Sequence, residues 1–79
     1  MARVLLFGPL RDLAGWRERL IEIGSLNELR AVLADEDADL GAALGGKGVQ
    51  VAVDQAVVRG DMALSAASEV AFLPPMSGG

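Results

Sequence analysis

Two short apolar segments, Ala2–Phe7 and Glu69–Leu73, sit near opposite ends of this 79-residue chain, and each is stopped by proline. Both carry the aliphatic and aromatic side chains that suit a pleated, half-buried surface. Gly8-Pro9 closes the first and Pro74-Pro75 the second, because proline has no amide to give to a sheet ladder. A chain this short can build only one core. The two segments are therefore expected side by side at the centre of a single sheet, and everything between them must return to that sheet or cover it.

The strongest local signal between them is helical. Ser25-Leu26-Asn27-Glu28 reads as a capping box, with Ser25 accepting from the Glu28 amide and Glu28 reaching back to Ser25. Leu26, Leu29, Val32 and Leu33 then fall on one helical face. This helix is expected to end near Ala34, since Asp35, Glu36, Asp37 and Asp39 repel one another and meet the negative end of its dipole. Those acids suit the start of a second short helix, Leu40–Leu44, capped by Asp37 or Asp39 and ended by Gly45-Gly46. Trp16–Ile23 reads as a second strand, after a connection at Leu10–Gly15 with room for a helical turn. Val49–Val53 alternates as a strand and turns at Asp54-Gln55 into Ala56–Val58. Met62–Leu64 reads as a short edge segment and Ser65–Ser68 as a polar loop. The order predicts an α+β fold, one mixed sheet with one main helix packed on one face.

The side-chain inventory excludes most chemistry. The chain has no His, no Cys and no Tyr, so the usual nucleophiles and proton shuttles are missing, as are disulfides and thiolate metal sites. Its net charge is −4, with eleven acids against seven scattered bases, which argues against nucleic acid as a partner. No apolar run reaches the length of a membrane span or a signal peptide. A non-catalytic cytoplasmic domain with no stably bound cofactor and no membrane contact is expected.

The C-terminal end supplies what the rest lacks. Residues 1–75 read as the folded domain and residues 76–79 as a tail, Met76-Ser77-Gly78-Gly79. Pro74-Pro75 favours an extended conformation that leaves the sheet stiffly. The four residues after it can reach about 13–14 Å at 3.3–3.6 Å per residue. Gly78 and Gly79 have no Cβ, so they can pass a channel too narrow for side chains. The Gly79 carboxylate is then the reactive group. A partner enzyme could activate it as an acyl-adenylate with ATP, after which a sulfur or amine nucleophile attacks the carbonyl. With no cysteine in the chain, any sulfur it carries must sit on that terminus as a thiocarboxylate.

Three stretches carry a family resemblance: Leu5-Leu6-Phe7-Gly8-Pro9-Leu10-Arg11-Asp12-Leu13-Ala14-Gly15, Val51-Ala52-Val53-Asp54-Gln55, and Glu69-Val70-Ala71-Phe72-Leu73-Pro74-Pro75-Met76-Ser77-Gly78-Gly79. In these the chain resembles the small subunits of molybdopterin synthase, ubiquitin-like β-grasp sulfur carriers with a C-terminal Gly-Gly. Leu73 stands where that family often has Phe, and Ser65–Ser68 lacks its common Asp-Gly turn. The resemblance implies that Gly79 is adenylated by an enzyme related to ubiquitin activators and converted to a thiocarboxylate by a sulfur donor protein. It implies further that the tail enters the synthase large subunit and that the sulfur passes to cyclic pyranopterin monophosphate. Within the carrier, Gly79 and Gly78 would be the reacting end.

Strand parity proposes where partners dock. If Val4 and Leu6 face the helix, Leu5 and Phe7 point away; if Val70 and Phe72 face in, Ala71 and Leu73 point out. Leu5, Phe7, Ala71 and Leu73 would then form an apolar patch at the root of Pro74, Pro75, Met76 and Ser77, with Arg11 and Arg59 as rim charges. The reverse parity would put the four in the core. Two other functions share the activation chemistry: a sulfur carrier for thiazole or another metabolite, and a modifier joined to protein lysines. A fourth reading is an interaction domain with an inert tail.

Overall fold

In the computed structural model, which describes residues 1–75, β1 (Ala2–Leu6) and β5 (Glu69–Leu73) pair in parallel. Leu5 lies opposite Ala71 and Leu6 opposite Phe72. β2 (Glu18–Ile21) runs antiparallel along the other side of β1. β3 (Gln50–Val53) runs antiparallel to β5 and carries β4 (Ala56–Val58) at the edge, giving the order β2-β1-β5-β3-β4. This five-stranded mixed sheet with its helices is the ubiquitin-like β-grasp arrangement. The elements nearest the two ends of the chain occupy its centre, as the proline-stopped segments predict.

α2 (Leu26–Glu36) and α3 (Ala38–Leu44) contribute Leu26, Leu29, Leu33, Leu40 and Leu44 to the core, against Val4, Leu6, Val70 and Phe72 of the central strands. Phe72, Val70 and Val4 are fully buried. Each such aliphatic or aromatic side chain contributes about 1.5–3 kcal/mol by leaving water. In the absence of staples, this central cluster is the main source of stability.

The acidic run is divided between two helices. α2 continues to Glu36, past the expected stop at Ala34, because Arg19 of β2 holds Glu36 through a forked pair of 2.7 and 3.3 Å. The bonded guanidinium keeps the Glu36 carboxyl below its usual range, and Glu36 in turn raises Arg19. Arg19 also stacks over Trp16 at 5.1 Å, which places that tryptophan in packing. Asp37 then ends α2 by donating its amide to the Leu33 carbonyl, and caps α3 by accepting from the Leu40 amide at 3.1 Å. The capping box at Ser25 forms with one change: Glu28 accepts from the Gly24 amide, one residue beyond Ser25. The extended bridge from Ser25 to Ala63 fixes the chain there and brings Gly24 within reach. That single bridge is all of the expected edge segment at Met62–Leu64, with Leu64 anchored in the core.

Two backbone features carry testable energies. Gly41 sits in the middle of α3, where glycine costs about 1 kcal/mol relative to alanine. A Cβ there would collide with the Ala34 Cβ and stand 2.6 Å from the Ala34 Cα, a backbone atom that cannot swing aside. Overpacking of this kind costs about 1–3 kcal/mol, so the clash outweighs the helical gain. Gly41→Ala is expected to lower the melting temperature by several degrees; an increase would show that the two helices separate without cost.

The β3–β4 hairpin turns on Asp54 and Gln55 at φ +50° and +72°, a mirror-type turn that favours glycine at its second position. Asp54 earns its place by accepting from the Glu69 amide at 2.9 Å while its own amide donates to the Glu69 carbonyl at 2.8 Å. Gln55 makes no such bond among the described residues. Gln55→Gly is expected to raise stability by roughly 0.5–1 kcal/mol, read as a shifted urea midpoint at constant slope. A loss of stability would mean that the left-handed strain is already relieved.

Candidate functional site

The sheet face opposite the helices is built by alternation. Val4 and Leu6 of β1 and Val70 and Phe72 of β5 turn inward, so Leu5, Ala71 and Leu73 lie on the outer face, half-buried. Leu5, Ala71, Ala52 and Val57 form one row across β1, β5, β3 and β4 through their register. Phe7 follows β1 and is 44% exposed, a large aromatic left in solvent. A cleft of about 220 Å³ runs beside it, lined by Leu5, Leu6, Phe7, Arg11, Arg17 and Glu18. Phe7 and Leu73 thus extend this apolar row toward the end of the sheet from which β5 continues to Pro74.

The other end of the same face is polar. Arg3 donates to Glu18 at 2.8 and 3.1 Å and lies 3.5 Å from Glu69. The hydrogen-bonded Arg3 lowers the Glu18 carboxyl, and Glu18 raises Arg3. These groups are solvent-exposed, so their pairing orders the face more than it stabilises the fold. A roomier hollow of about 460 Å³, lined by Arg11, Asp12, Gly15, Trp16 and Arg17, touches none of the patch residues Leu5, Phe7, Ala71 and Leu73. A third, of about 330 Å³, lies between Arg30, Gln50 and Arg59 and reaches Gly48.

The tail root is held by two glycines. Gly8, which precedes α1 (Pro9–Ala14), has φ +56°, and a Cβ on it would stand 3.2 Å from the Pro74 Cγ. Gly48, in the loop before β3, has φ +87°, and its Cβ would stand 2.8 Å from the Pro75 Cβ. The loops on either side of β5 therefore close on the diproline without side chains. Sequence reasoning takes Gly8 as a strand stop and passes over Gly48. The available signal was the position of each glycine at the end of a strand flanking β5, readable only once the strand order is known.

Leu5, Phe7, Ala71, Leu73, Pro74 and Pro75 are thus adjoining parts of one surface. Met76, Ser77, Gly78 and Gly79 lie outside the described residues. Among the described residues no group of three or more His, Cys, Asp or Glu could hold a metal ion, and no helix is long and apolar enough to cross a membrane.

The sequence pattern of the ThiS family matches residues 4–79, nearly the whole chain. The chain belongs to the ThiS family. It is a ubiquitin-like sulfur carrier of that family. The fold of this ThiS-family chain is shared with a crystal structure of SAMP1 from Haloferax volcanii, at TM-score 0.84 and 22% identity over 99% of this chain and 98% of that one. The solution structure of the small archaeal modifier protein SAMP1 from Methanosarcina acetivorans gives TM-score 0.86 and 22% identity, covering 99% and 95%. Similar too is a chain from the complex of subunits 1 and 2 of molybdopterin-converting factor from Helicobacter pylori 26695, at TM-score 0.74 and 24% identity, covering 99% and 97%. At these identities the structures speak to fold. No curated protein matches the chain in sequence.

Proposed function

We propose that this chain is the sulfur-carrier subunit of a molybdopterin synthase. The observation that carries the reading is the continuity of an apolar patch, half-buried Leu5, Ala71 and Leu73 with exposed Phe7, with the diproline root of a Gly-Gly tail. A patch of that kind at the base of a reactive arm suits a partner that grips the domain while its active site receives the arm. The likeness to a chain of a two-subunit molybdopterin-converting factor supports a large-subunit partner.

The chemistry follows from the terminus. The Gly79 carboxylate attacks the α-phosphorus of ATP in an adenylating enzyme, releasing pyrophosphate and leaving an acyl-adenylate. A sulfide-level nucleophile from a sulfur donor protein displaces AMP and leaves a thiocarboxylate. In the large subunit the thiocarboxylate sulfur attacks a side-chain carbon of cyclic pyranopterin monophosphate and displaces an oxygen from it, which leaves as water or with the opened phosphate ester. Water then hydrolyses the thioester link, leaving the sulfur on the pterin and returning Gly79 to a carboxylate. Each tail delivers one sulfur, so two loaded carriers serve each dithiolene.

The test starts from the purified chain with an adenylating enzyme, ATP and a sulfur source. Its intact mass is expected to rise by the difference between sulfur and oxygen, at the C-terminal peptide. The loaded chain is then given to a molybdopterin synthase large subunit with cyclic pyranopterin monophosphate, and molybdopterin is expected. Loading without molybdopterin would move the recipient to thiazole or another metabolite. Adducts to protein lysines through Gly79 would support the modifier reading that the SAMP1 likeness suggests.

A further inference from the structure

We infer that Gly8 and Gly48 are positioning residues, forming a slot that fixes the direction in which the chain leaves the sheet at Pro75. The two glycines come from loops that follow β1 and precede β3, the strands flanking β5 on either side. Both have positive φ, and Gly8 has ψ −133°, a combination closed to residues with a side chain. Both face the diproline: a Cβ would approach Pro74 from one side at 3.2 Å and Pro75 from the other at 2.8 Å. Gly15 and Gly60 also have positive φ, at +83° and +77°, yet among the described residues a Cβ on either would meet nothing within 4 Å. Left-handed backbone alone therefore does not explain the contacts at Gly8 and Gly48; they are specific to the tail root.

The lever arm makes direction matter. Proline fixes its own φ, so two in succession transmit the angle at which they are held. Over a reach of about 13–14 Å, a tilt of about 20° moves the tip roughly 4–5 Å sideways. A misplacement of about 1 Å can cost on the order of a hundredfold in rate. A carrier whose chemistry sits at the end of such an arm needs its root held, and side-chain-free loops on both sides of two rigid rings do that. The kinetic part of this inference rests on the proposed transfer of sulfur in the large subunit; the geometric part does not.

The experiment uses the full chain. Because it contains no cysteine, Ala66→Cys and Ser77→Cys accept spin labels cleanly, and the distance between them reports the direction of the arm. Gly48→Ala is expected to shift that distance by about 2 Å, since the label sits two residues beyond Pro75, and Gly60→Ala, with similar backbone strain and no contact with Pro74 or Pro75, to leave it unchanged. In unlabelled protein, Gly48→Ala is expected to slow single-turnover sulfur transfer about 10- to 100-fold while affinity for the large subunit stays within about threefold. Pro75→Gly is the second variant should Gly48→Ala fail to fold; it removes the Cβ that Gly48 faces, and is expected to broaden the distance and slow transfer. Unchanged distances in Gly48→Ala and Pro75→Gly, or shifted distances with wild-type transfer, overturn the inference. A wild-type chain that loads sulfur but makes no molybdopterin overturns the proposed recipient instead, and the label distances still decide the slot.

Discussion

A chain lacking Gly79 is expected to fold as the full chain does and to load no measurable sulfur. Deletion draws the terminal carboxylate back by about 3.3–3.6 Å, several times the displacement that costs on the order of a hundredfold in rate. Loading should therefore fall at least a thousandfold, below detection in an intact-mass assay. Stability should not follow. The core is complete by Phe72, the last fully buried residue among those described, and Pro75 is already exposed. Thermal melts of the two chains are expected to coincide within about 1–2 °C. If the deletion unfolded the domain, the terminal residues would be part of the fold and not a free arm.

Phe7→Ala is the second large expected effect, and it falls on binding. Phe7 is 44% exposed, so a large part of its ring is free for a partner, and the loss of its remaining burial is read separately in a thermal melt. At the centre of a protein interface an aromatic anchor of this kind contributes about 2–3 kcal/mol, which is roughly 30- to 150-fold in affinity. Titration calorimetry with the large subunit should show that loss, and saturating partner should largely restore the sulfur-transfer rate. Leu20→Ala is the control, since Leu20 is 62% exposed and lies opposite Arg3, at the polar end of the face. An equal loss in both variants would show that the patch is not the docking surface.

The parts of the fold that were legible in the sequence are those set by period and punctuation. The apolar runs Val4-Leu5-Leu6 and Val70-Ala71-Phe72 mark the central strands, but being apolar throughout they leave two parities open; the structure settles it, with Val4, Leu6, Val70 and Phe72 buried and Leu5 and Ala71 on the outer face. Ser25 and Glu28 marked the start of α2 for the same reason that a capping box is readable anywhere: its partners are three residues apart. What escaped depends on residues distant in sequence. α2 runs past the stop at Ala34 that its acidic run predicts because Arg19, seventeen residues away, neutralises Glu36. α1 reads from the sequence as a connection with room for only a turn, since Leu10 is its one fully buried residue and Ala14 adds only partial packing. The close approaches of Gly41 to Ala34 and of Gly48 to Pro75 join residues distant in sequence and have no local signature.

The central position of β5 also has a mechanical meaning. Any partner that draws the tail into an active site pulls along the axis of β5, which is bonded to β1 on one side and β3 on the other. Ladder bonds lie across the strand direction, so such a pull loads both ladders in shear and many bonds at once, where a peeling force would break them one by one. The domain is thus anchored most firmly along the line on which its arm is tugged, and a carrier can be docked, drawn in and released many times without unravelling from its handle.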